Sequence, residues 1–487
     1  MRNRGQSAVT KKINLFWFRG DLRLSDNPGL FEASKNAIVM PVYILEEDTR
    51  DPFKMGSASK WWLNKSLTIL DKDLGNSLNI YKGNPKEILL DITQKNNIED
   101  VYWNTCYTPS YLRSDAEIKE SLKDKGINSY CFNASLLWDP SEILKKEGSS
   151  YKVFTPFYQK GCLSAPPPRR PLPTPEGLTL TKDNRNSTKL SDLNLLPDKK
   201  WYHSLNFHWK IGEKAAQDKL ENFLDQGLKG YKEGRNYPAQ YHTSKLSPHL
   251  HFGEISPNQV WYAVQSKSLY YGGDKGIDND IESFLSELGW REFSYYLLYH
   301  FPTLPHENFQ SNFNAFPWEE NKSLLKAWQK GQTGYPLIDA GMRELWQTGY
   351  MHNRVRMVVG SFLVKNLLLH WRYGAAWFWD CLIDADLASN SASWQWVAGS
   401  GADASPYFRI FNPVLQGEKF DSEGEYTCHY VPELKKLPKK YLFNPWEAPQ
   451  DILNSAGIVL GQNYPYPIVD IQQSRLRALE SYKMISK

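Results

Sequence analysis

The sequence predicts a two-part fold, an α/β domain with a parallel sheet followed by an all-α domain. Three observations predict it. Short apolar runs alternate with amphipathic stretches up to about residue 132, a proline-rich segment follows, and helical spacing dominates from about residue 207. The length of 487 residues also exceeds the size at which a single hydrophobic core keeps growing, which favours two or three domains.

Residues 10–133 form the predicted α/β domain. Residues 59–74 are interpreted as a helix, and five short apolar runs are interpreted as strands: 13–18, 37–45, 78–81, 100–104 and 127–132. This alternation is typical of a Rossmann-like parallel sheet. The dinucleotide fingerprint GxGxxG and the P-loop GxxxxGK are both absent, so the layout alone predicts no nucleotide chemistry.

Residues 134–206 are predicted to connect the two domains. The stretch 165–175 is rich in proline, which has no backbone donor, so neither a helix nor a central strand accommodates it. We interpret the stretch as part of an ordered crossover. A ligand for a domain that reads polyproline II is the alternative.

Residues 207–487 form the predicted helical domain. Apolar residues recur at helical spacing in four segments: 214–225, 281–301, 324–330 and 352–371. One face of the last segment carries an amide, a cation and a thioether at i, i+3, i+4 and i+7: Asn353, Arg356, Met357 and Gly360. A buried Arg356 needs a carboxylate partner, and Asp384 or Asp386 is the natural one.

Composition and charge limit the classes of ligand. The chain has 18 Trp, 28 Tyr and 22 Phe, more rings than packing usually requires, and such rings stack on bases and on flat cofactors. The formal net charge is only +4, so any site for a polyanion must be a local patch. No run of residues is long and apolar enough to predict a membrane span.

The sequence predicts no thiol redox centre, no metal site and no secretory signal. The five cysteines are scattered and include no CxxC pair, which favours a reducing compartment. His249 and His251 lack a further ligand at suitable spacing, so no metal is predicted. Residues 1–12 are interpreted as a basic tail, not a secretory signal. The expected location is cytoplasmic, at the nucleoid in a bacterium, or in the nucleus or an organelle in a eukaryote.

Residues 384–413 hold the strongest functional signal. Two carboxylates, an amide and two tryptophans lie close together here: Asp384, Asp386, Asn390, Trp394 and Trp396. A helix core prefers Leu and Ala at helical spacing, whereas this stretch keeps large rings beside polar groups. The pattern is typical of a pocket for a flat, hydrogen-bonding ring.

Four further stretches extend this signal into a family resemblance: residues 14–27, 243–256, 334–336 and 351–357. With residues 384–413, they closely resemble the photolyase/cryptochrome family over nearly the whole chain, and most of all its class I members that act on cyclobutane pyrimidine dimers. The resemblance implies bound FAD, active as FADH⁻. It also implies ten cofactor-binding residues: Tyr231, Thr243, Ser244, Lys245, Leu246, Ser247, Arg356, Asp384, Asp386 and Asn390.

The resemblance further implies a monomeric lyase whose partner is UV-damaged DNA. In this reaction photoexcited reduced FAD passes an electron to a flipped-out cyclobutane pyrimidine dimer, which splits and returns the electron to the flavin. The implied dimer-contacting residues are Glu287, Trp290, Asn353, Met357 and Trp396, and the resemblance implies that the two tryptophans hold the dimer between them. Relatives that repair (6-4) photoproducts carry histidines in place of Asn353 and Met357, which favours the cyclobutane lesion here.

Other roles are assigned by the same resemblance. Three arginines are the candidates for contacts with DNA phosphates: Arg291, Arg354 and Arg409. Three tryptophans match the series of tryptophans that passes electrons to the flavin in this family: Trp318, Trp371 and Trp394. Arg113 stands where folate-binding relatives carry Glu, which disfavours folate as a second, antenna chromophore. A deazaflavin, a flavin or an empty antenna site are the alternatives.

Two other functions stay open. A cryptochrome-type blue-light photoreceptor would signal through flavin photoreduction. A single-strand DNA binder with a vestigial flavin would bind dimers no better than undamaged DNA. The intact dimer-contacting set favours repair.

Overall fold

The computed structural model describes residues 12–46, 53–183, 187–270 and 274–486; the predicted basic tail before residue 12 lies outside them. All five predicted strands are present, within two residues of the predicted bounds: β1 Ile13–Phe18, β2 Ile38–Glu46, β3 Asn79–Gly83, β4 Asp100–Asn104 and β5 Asn128–Phe132. They form one parallel sheet in the order β3-β2-β1-β4-β5. The predicted α/β class is confirmed.

Strand β1 lies at the centre of the sheet and is buried on both faces. Leu15 and Trp17 pack on one side, and Phe16 and Phe18 pack on the other. A parallel strand covered on both faces has a continuous apolar sequence, which is why this run was easy to predict. In the part of the chain that the structure describes, four helices cover the sheet: α1 Pro28–Ala33, α2 Ser57–Asp73, α3 Pro85–Lys95 and α4 Pro109–Lys123.

The proline-rich stretch is held in place by hydrogen bonds to both domains. Arg169 and the Leu172 N–H donate to the Asp26 carboxylate, at 2.6 and 2.8 Å. Trp138 donates its indole N–H to the Pro166 carbonyl at 3.1 Å, and another backbone carbonyl, that of Arg169, accepts from the Asn258 amide at 2.7 Å. These contacts favour the ordered crossover, because they occupy backbone that a polyproline II ligand would present to a partner.

The second half of the chain is helical, as predicted. Its helices are α5 Leu205–His208, α6 Glu213–Asn222, α7 Tyr231–Gly234, α8 Ser247–His251, α9 Pro257–Tyr270, α10 Lys275–His300, α11 Lys322–Gln329, α12 Pro336–Thr348, α13 Asn353–Ser361, α14 Trp371–Cys381, α15 Leu387–Ala398, α16 Pro413–Phe420, α17 Glu425–Tyr430, α18 Gln450–Ala456 and α19 Ile471–Ile485. Within the described residues, no helix has the length and apolar character to cross a membrane.

The single helix predicted for residues 352–371 is wrong. Helix α13 continues as a π-helical turn, Phe362–Asn366, and the chain then leaves the helix until α14 begins at Trp371. Leu368 adopts a left-handed conformation with φ of 51°. His370 then caps α14 by accepting a hydrogen bond from the Arg372 N–H at 3.1 Å. The break places Trp371 on a new helix that packs beside α15.

The two halves share an apolar core. Phe16 and Phe18 belong to the same buried cluster as Trp209 and Ile383 of the helical half. Trp62 of α2 stacks on Phe252 with an interplanar angle of 12°. These buried apolar contacts hold the sheet against the loops before α8 and α15, and the two loops carry many of the candidate site residues.

Candidate cofactor and nucleic-acid site

A cleft opens between the loop before α8, helix α10, the start of α13 and the loop before α15. Nine of the ten residues predicted to bind the cofactor line it: Tyr231, Thr243, Ser244, Lys245, Leu246, Ser247, Arg356, Asp384 and Asp386. Asn390 does not. Its amide donates to the Ala375 carbonyl at 3.1 Å and so faces α14. The cofactor role of Asn390 stays a prediction.

The predicted partner of Arg356 is present in the cleft. Its guanidinium Nη2 lies 2.8 and 3.2 Å from the two Asp384 carboxylate oxygens. Burial lowers the pKa of Arg356, but the charge and hydrogen bond of Asp384, together with Tyr350 and Glu344, outweigh this effect and raise the pKa overall. Ser247 also donates to Asp384, at 2.6 Å. This pair fixes α13 to the loop before α15 and keeps a cation in the cleft wall.

Asp386 lies two residues after Asp384, where the loop meets α15. Its carboxylate caps α15 by accepting from the Ser389 N–H at 2.7 Å, and it also accepts from the Tyr295 hydroxyl. Burial alone would raise the pKa of Asp386, but His251, Tyr295 and the Ser389 N–H lower it to about 2. Asp386 is therefore ionised throughout the physiological range and anchors α15 to α10.

The turn before α8 supplies hydroxyl groups and one cation. Thr243, Ser244 and Ser247 line the cleft around Lys245, whose backbone is left-handed with φ of 50°. The Lys245 ammonium lies 5.7 Å from the centre of the Tyr350 ring. Hydroxyls and backbone N–H groups around a cation suit a pyrophosphate, so this wall fits a dinucleotide cofactor.

Arg235 was missed by sequence reasoning. It forms an ion pair with Glu287 of α10. The Arg235 guanidinium also lies 5.4 Å from the centre of the Tyr231 ring, four residues back on the same helical turn. Burial lowers the pKa of Arg235, yet the Glu287 carboxylate raises it overall. The i,i+4 spacing to Tyr231 was the one signal that could have identified it.

A second cavity adjoins the cleft and shares Arg235 and Asn353 with it. Its other lining residues are Lys232, Asn236, Ser283, Arg354 and Met357. Two of the predicted dimer-contacting residues, Asn353 and Met357, therefore face a basic cavity directly beside the cleft, while Glu287 lines the cleft itself.

The three arginines predicted to contact DNA lie in different surroundings. Arg354 lines the basic cavity, and Arg409 is exposed on the loop before α16. Arg291 instead lines the cleft and is 15% exposed, donating to the Ser135 carbonyl at 2.8 Å and lying 3.3 Å from Glu292. Burial raises the pKa of Glu292 to about 7 against the opposing effect of Arg291. Arg291 thus joins the cleft to the connector.

The two tryptophans predicted to hold the dimer lie on neighbouring helices. Trp290 is on α10 and Trp396 is on α15, and these helices pack against each other. Both rings are half-buried. The described linings of the cleft and the basic cavity include neither ring.

Comparison with known proteins identifies the group to which this architecture belongs. A family model described as the FAD binding domain of DNA photolyase matches residues 284–484, and one described as DNA photolyase matches residues 14–176. The deoxyribodipyrimidine photo-lyase of Agrobacterium fabrum is 48% identical over 478 residues, which cover 97% of this chain and 98% of that protein. The chain belongs to the photolyase/cryptochrome family.

Both branches of the family are related to this chain. Cryptochrome-2 of Arabidopsis thaliana is 38% identical over 479 residues, 95% of this chain and 78% of that protein. The crystal structure of a class III photolyase from Agrobacterium tumefaciens superimposes with a TM-score of 0.94 at 47% identity and covers 99% of both chains. The predicted family and FAD cofactor are confirmed, and a second chromophore is left open.

The cleft of this photolyase-family chain fits FAD chemically. The hydroxyl-lined turn with Lys245 would hold the pyrophosphate, and the Arg356–Asp384 pair would face the polar part of the ring system. Arg113, on which the prediction against folate rests, is exposed on α4. The identity of an antenna chromophore stays a prediction.

The three tryptophans predicted to reduce the flavin lie at different depths. Trp394 and Trp371 are 3% and 1% exposed, whereas Trp318 is half-buried. Trp371 donates its indole N–H to Asn308 at 2.9 Å, and the His370 ring lies 5.6 and 5.0 Å from the rings of Trp371 and Trp318. Trp394 and Trp371 therefore both lie in the core, and Trp318 lies nearer the surface. Their electron-transfer role stays a prediction.

Proposed function

We propose that the protein is a light-dependent DNA repair enzyme that splits cyclobutane pyrimidine dimers. The observation that supports it best is the basic cavity beside the cofactor cleft, in which Asn353 and Met357 stand next to the Glu287–Arg235 pair. Relatives that act on (6-4) photoproducts resemble this chain less at these two positions, where they carry histidines. The photo-lyase name of the 48% identical relative agrees with the proposal.

Reduced FAD, when bound, supplies the light-absorbing electron donor. Glu287 would accept a hydrogen bond from a pyrimidine N–H, and Arg235 would keep its carboxylate turned towards the cleft. Asn353 can donate to a pyrimidine carbonyl through its amide. Met357 would contact the apolar face of the lesion without adding charge.

The cations of the cavity would hold the DNA backbone. Lys232 and Arg354 line one small space without a carboxylate partner among the described residues, and Arg409 is exposed on the loop before α16. Contacts of this kind give affinity without sequence preference and weaken as salt rises. The lesion has to leave the duplex to reach the cleft, and a fused dimer stacks poorly, which lowers the cost of extrusion.

A repair assay tests this function. Chemically reduced protein should restore an oligonucleotide with one thymine dimer under blue light but not in the dark, as measured by chromatography of the strands. The same strand carrying a (6-4) photoproduct should stay unrepaired. Repair of the (6-4) strand alone would show that the (6-4) photoproduct, and not the cyclobutane dimer, is the substrate.

A cryptochrome-type photoreceptor is the second candidate, supported by the 38% identity to Cryptochrome-2 of Arabidopsis thaliana. The absence of repair by fully reduced protein, with flavin photoreduction intact, would favour this function. Binding of dimers no tighter than that of undamaged DNA would favour the third candidate, the single-strand binder. Within the repair branch, the class III name of the superimposed photolyase favours that class over the class I likeness predicted from sequence.

A further inference from the structure

We propose that Asp403 and Phe154 are positioning residues that set the separation of the two tryptophans, Trp290 and Trp396, between which the dimer is held. The inference rests on the proposed repair function. It concerns a connector residue and a loop carboxylate that lie outside the linings of the cleft and the basic cavity in the described chain.

Phe154 supports the ring of Trp290. Their ring centres are 3.8 Å apart and their planes differ by 10°, so the two rings are stacked face to face. The Tyr158 ring is also parallel to Phe154, at 5.5 Å and 10°. Phe154 is only 8% exposed. The connector thus supplies a flat backing that limits how far Trp290 can tilt or retreat.

The backbone of Phe154 is held by Asp403. The Phe154 N–H donates to the Asp403 carboxylate at 2.9 Å, across 249 positions of the chain. This N–H lies at the start of a helical turn that continues to Gly161, where backbone donors lack partners within the turn. An acceptor from another segment is therefore needed, and Asp403 provides it.

Asp403 is itself fixed to the helix that carries Trp396. Two backbone bonds tie its loop to the last turn of α15: the Gly401 N–H donates to the Gln395 carbonyl at 3.0 Å, and the Ser405 N–H donates to the Trp396 carbonyl at 3.1 Å. Asp403 lies between these two anchors. A continuous path of contacts therefore runs from Trp396 through Asp403 and Phe154 to Trp290.

The path matters because stacking depends on the gap between the two rings. A fused pyrimidine pair is a thicker body than one base, so a gap held at a fixed width favours the dimer over a single extruded base. Packing of α10 on α15 sets the distance between the two helices, whereas the tilt of each indole depends on the groups that its own ring contacts. The stack on Phe154 limits that tilt at Trp290.

Two matched pairs of variants test the inference. Asp403→Ala removes the acceptor, and Asp403→Asn keeps a side-chain oxygen that can accept from Phe154. Phe154→Leu removes the flat face, and Phe154→Tyr keeps it. The dissociation constants for a single-dimer oligonucleotide and for the undamaged strand would be measured by fluorescence anisotropy, with FAD content and the rate of flavin photoreduction as checks.

We expect Asp403→Ala and Phe154→Leu to raise the dissociation constant for the dimer strand about tenfold, the effect of losing part of one stacking contact. Binding of the undamaged strand, FAD content and photoreduction should stay at parental values. The two conservative variants should recover most of the affinity, and KM should change more than kcat.

Parental dimer affinity in both disruptive variants would overturn the inference. Equal weakening of dimer and undamaged binding, or loss of FAD, would also overturn it, since either result would give the residues a general structural role. A parent protein that does not prefer dimers would instead overturn the proposed function, and this is measured first.

Discussion

The cofactor cleft and the basic cavity differ in how their charges are balanced. In the cleft, Arg356 is paired with Asp384, and Asp386 is satisfied by several donors. In the cavity, neither Lys232 nor Arg354 has a carboxylate partner among the described residues. Paired charges hold elements of the fold together, whereas uncompensated cations attract a polyanion. Adjacent spaces can therefore serve a resident cofactor and a transient nucleic acid.

The largest effect should come from breaking the paired charges of the cleft. Arg356→Leu leaves Asp384 buried without its cation, which costs about 3–5 kcal/mol of stability locally. We expect purified protein to lose most of its flavin absorbance. The exposed Arg475→Leu on α19 is the control and should keep the flavin. Full flavin content in Arg356→Leu would show that the paired charges of the cleft are not needed to hold the cofactor, which would contradict the comparison between the cleft and the basic cavity.

Trp394→Phe should separate light-driven reduction from repair. Indole gives up an electron easily because its ionisation energy is low, and phenylalanine does not. Photoreduction of oxidised flavin should therefore become too slow to follow under light that reduces the flavin of the parent protein. Chemically reduced enzyme should repair at nearly the parental rate. The surface variant Trp201→Phe should change neither reaction. Equal loss of both reactions would contradict the separate role of Trp394.

Glu287→Ala tests the boundary between the two spaces. Loss of one hydrogen bond to a charged group should lower repair under limiting dimer about tenfold, while FAD stays bound. The exposed Glu282→Ala on the same helix should repair normally. Release of FAD from Glu287→Ala would assign this carboxylate to the cofactor instead of the lesion.

The smallest effect is expected from the unpaired cations. Lys232→Gln should weaken binding of damaged and undamaged DNA by a similar, several-fold factor and reduce the slope of log K against log salt by about one. Lys436→Gln, an exposed site outside the cavity lining, should leave the slope unchanged. An effect confined to damaged DNA would make Lys232 a lesion contact and not a backbone contact.

The sequence predicted elements whose signals are local. Strands such as β1 were evident because a central parallel strand is apolar throughout, and the pairing of Arg356 followed from the cost of a buried cation. The break before Trp371 was missed because a left-handed Leu368 and a histidine cap leave almost no mark on helical periodicity.

Contacts between distant segments were beyond sequence reasoning. Arg235 and Glu287 are 52 positions apart, and Phe154 and Asp403 are 249 apart. No pattern in one sequence selects such partners, because many other residues of suitable type lie at comparable separations. The resemblance supplied the list of cleft residues, but it named neither Arg235 nor Phe154.

The route of the connector limits how the protein can be divided. Phe154 belongs to the crossover by sequence, yet its ring stacks on Trp290 of α10. A fragment starting at residue 207 would retain the cleft-lining residues but lack this ring. Truncation at the apparent domain boundary would therefore remove the ring that backs Trp290, together with the part of the shared apolar core that the sheet supplies. The helical half cannot be separated from residues 134–206 without exposing both surfaces.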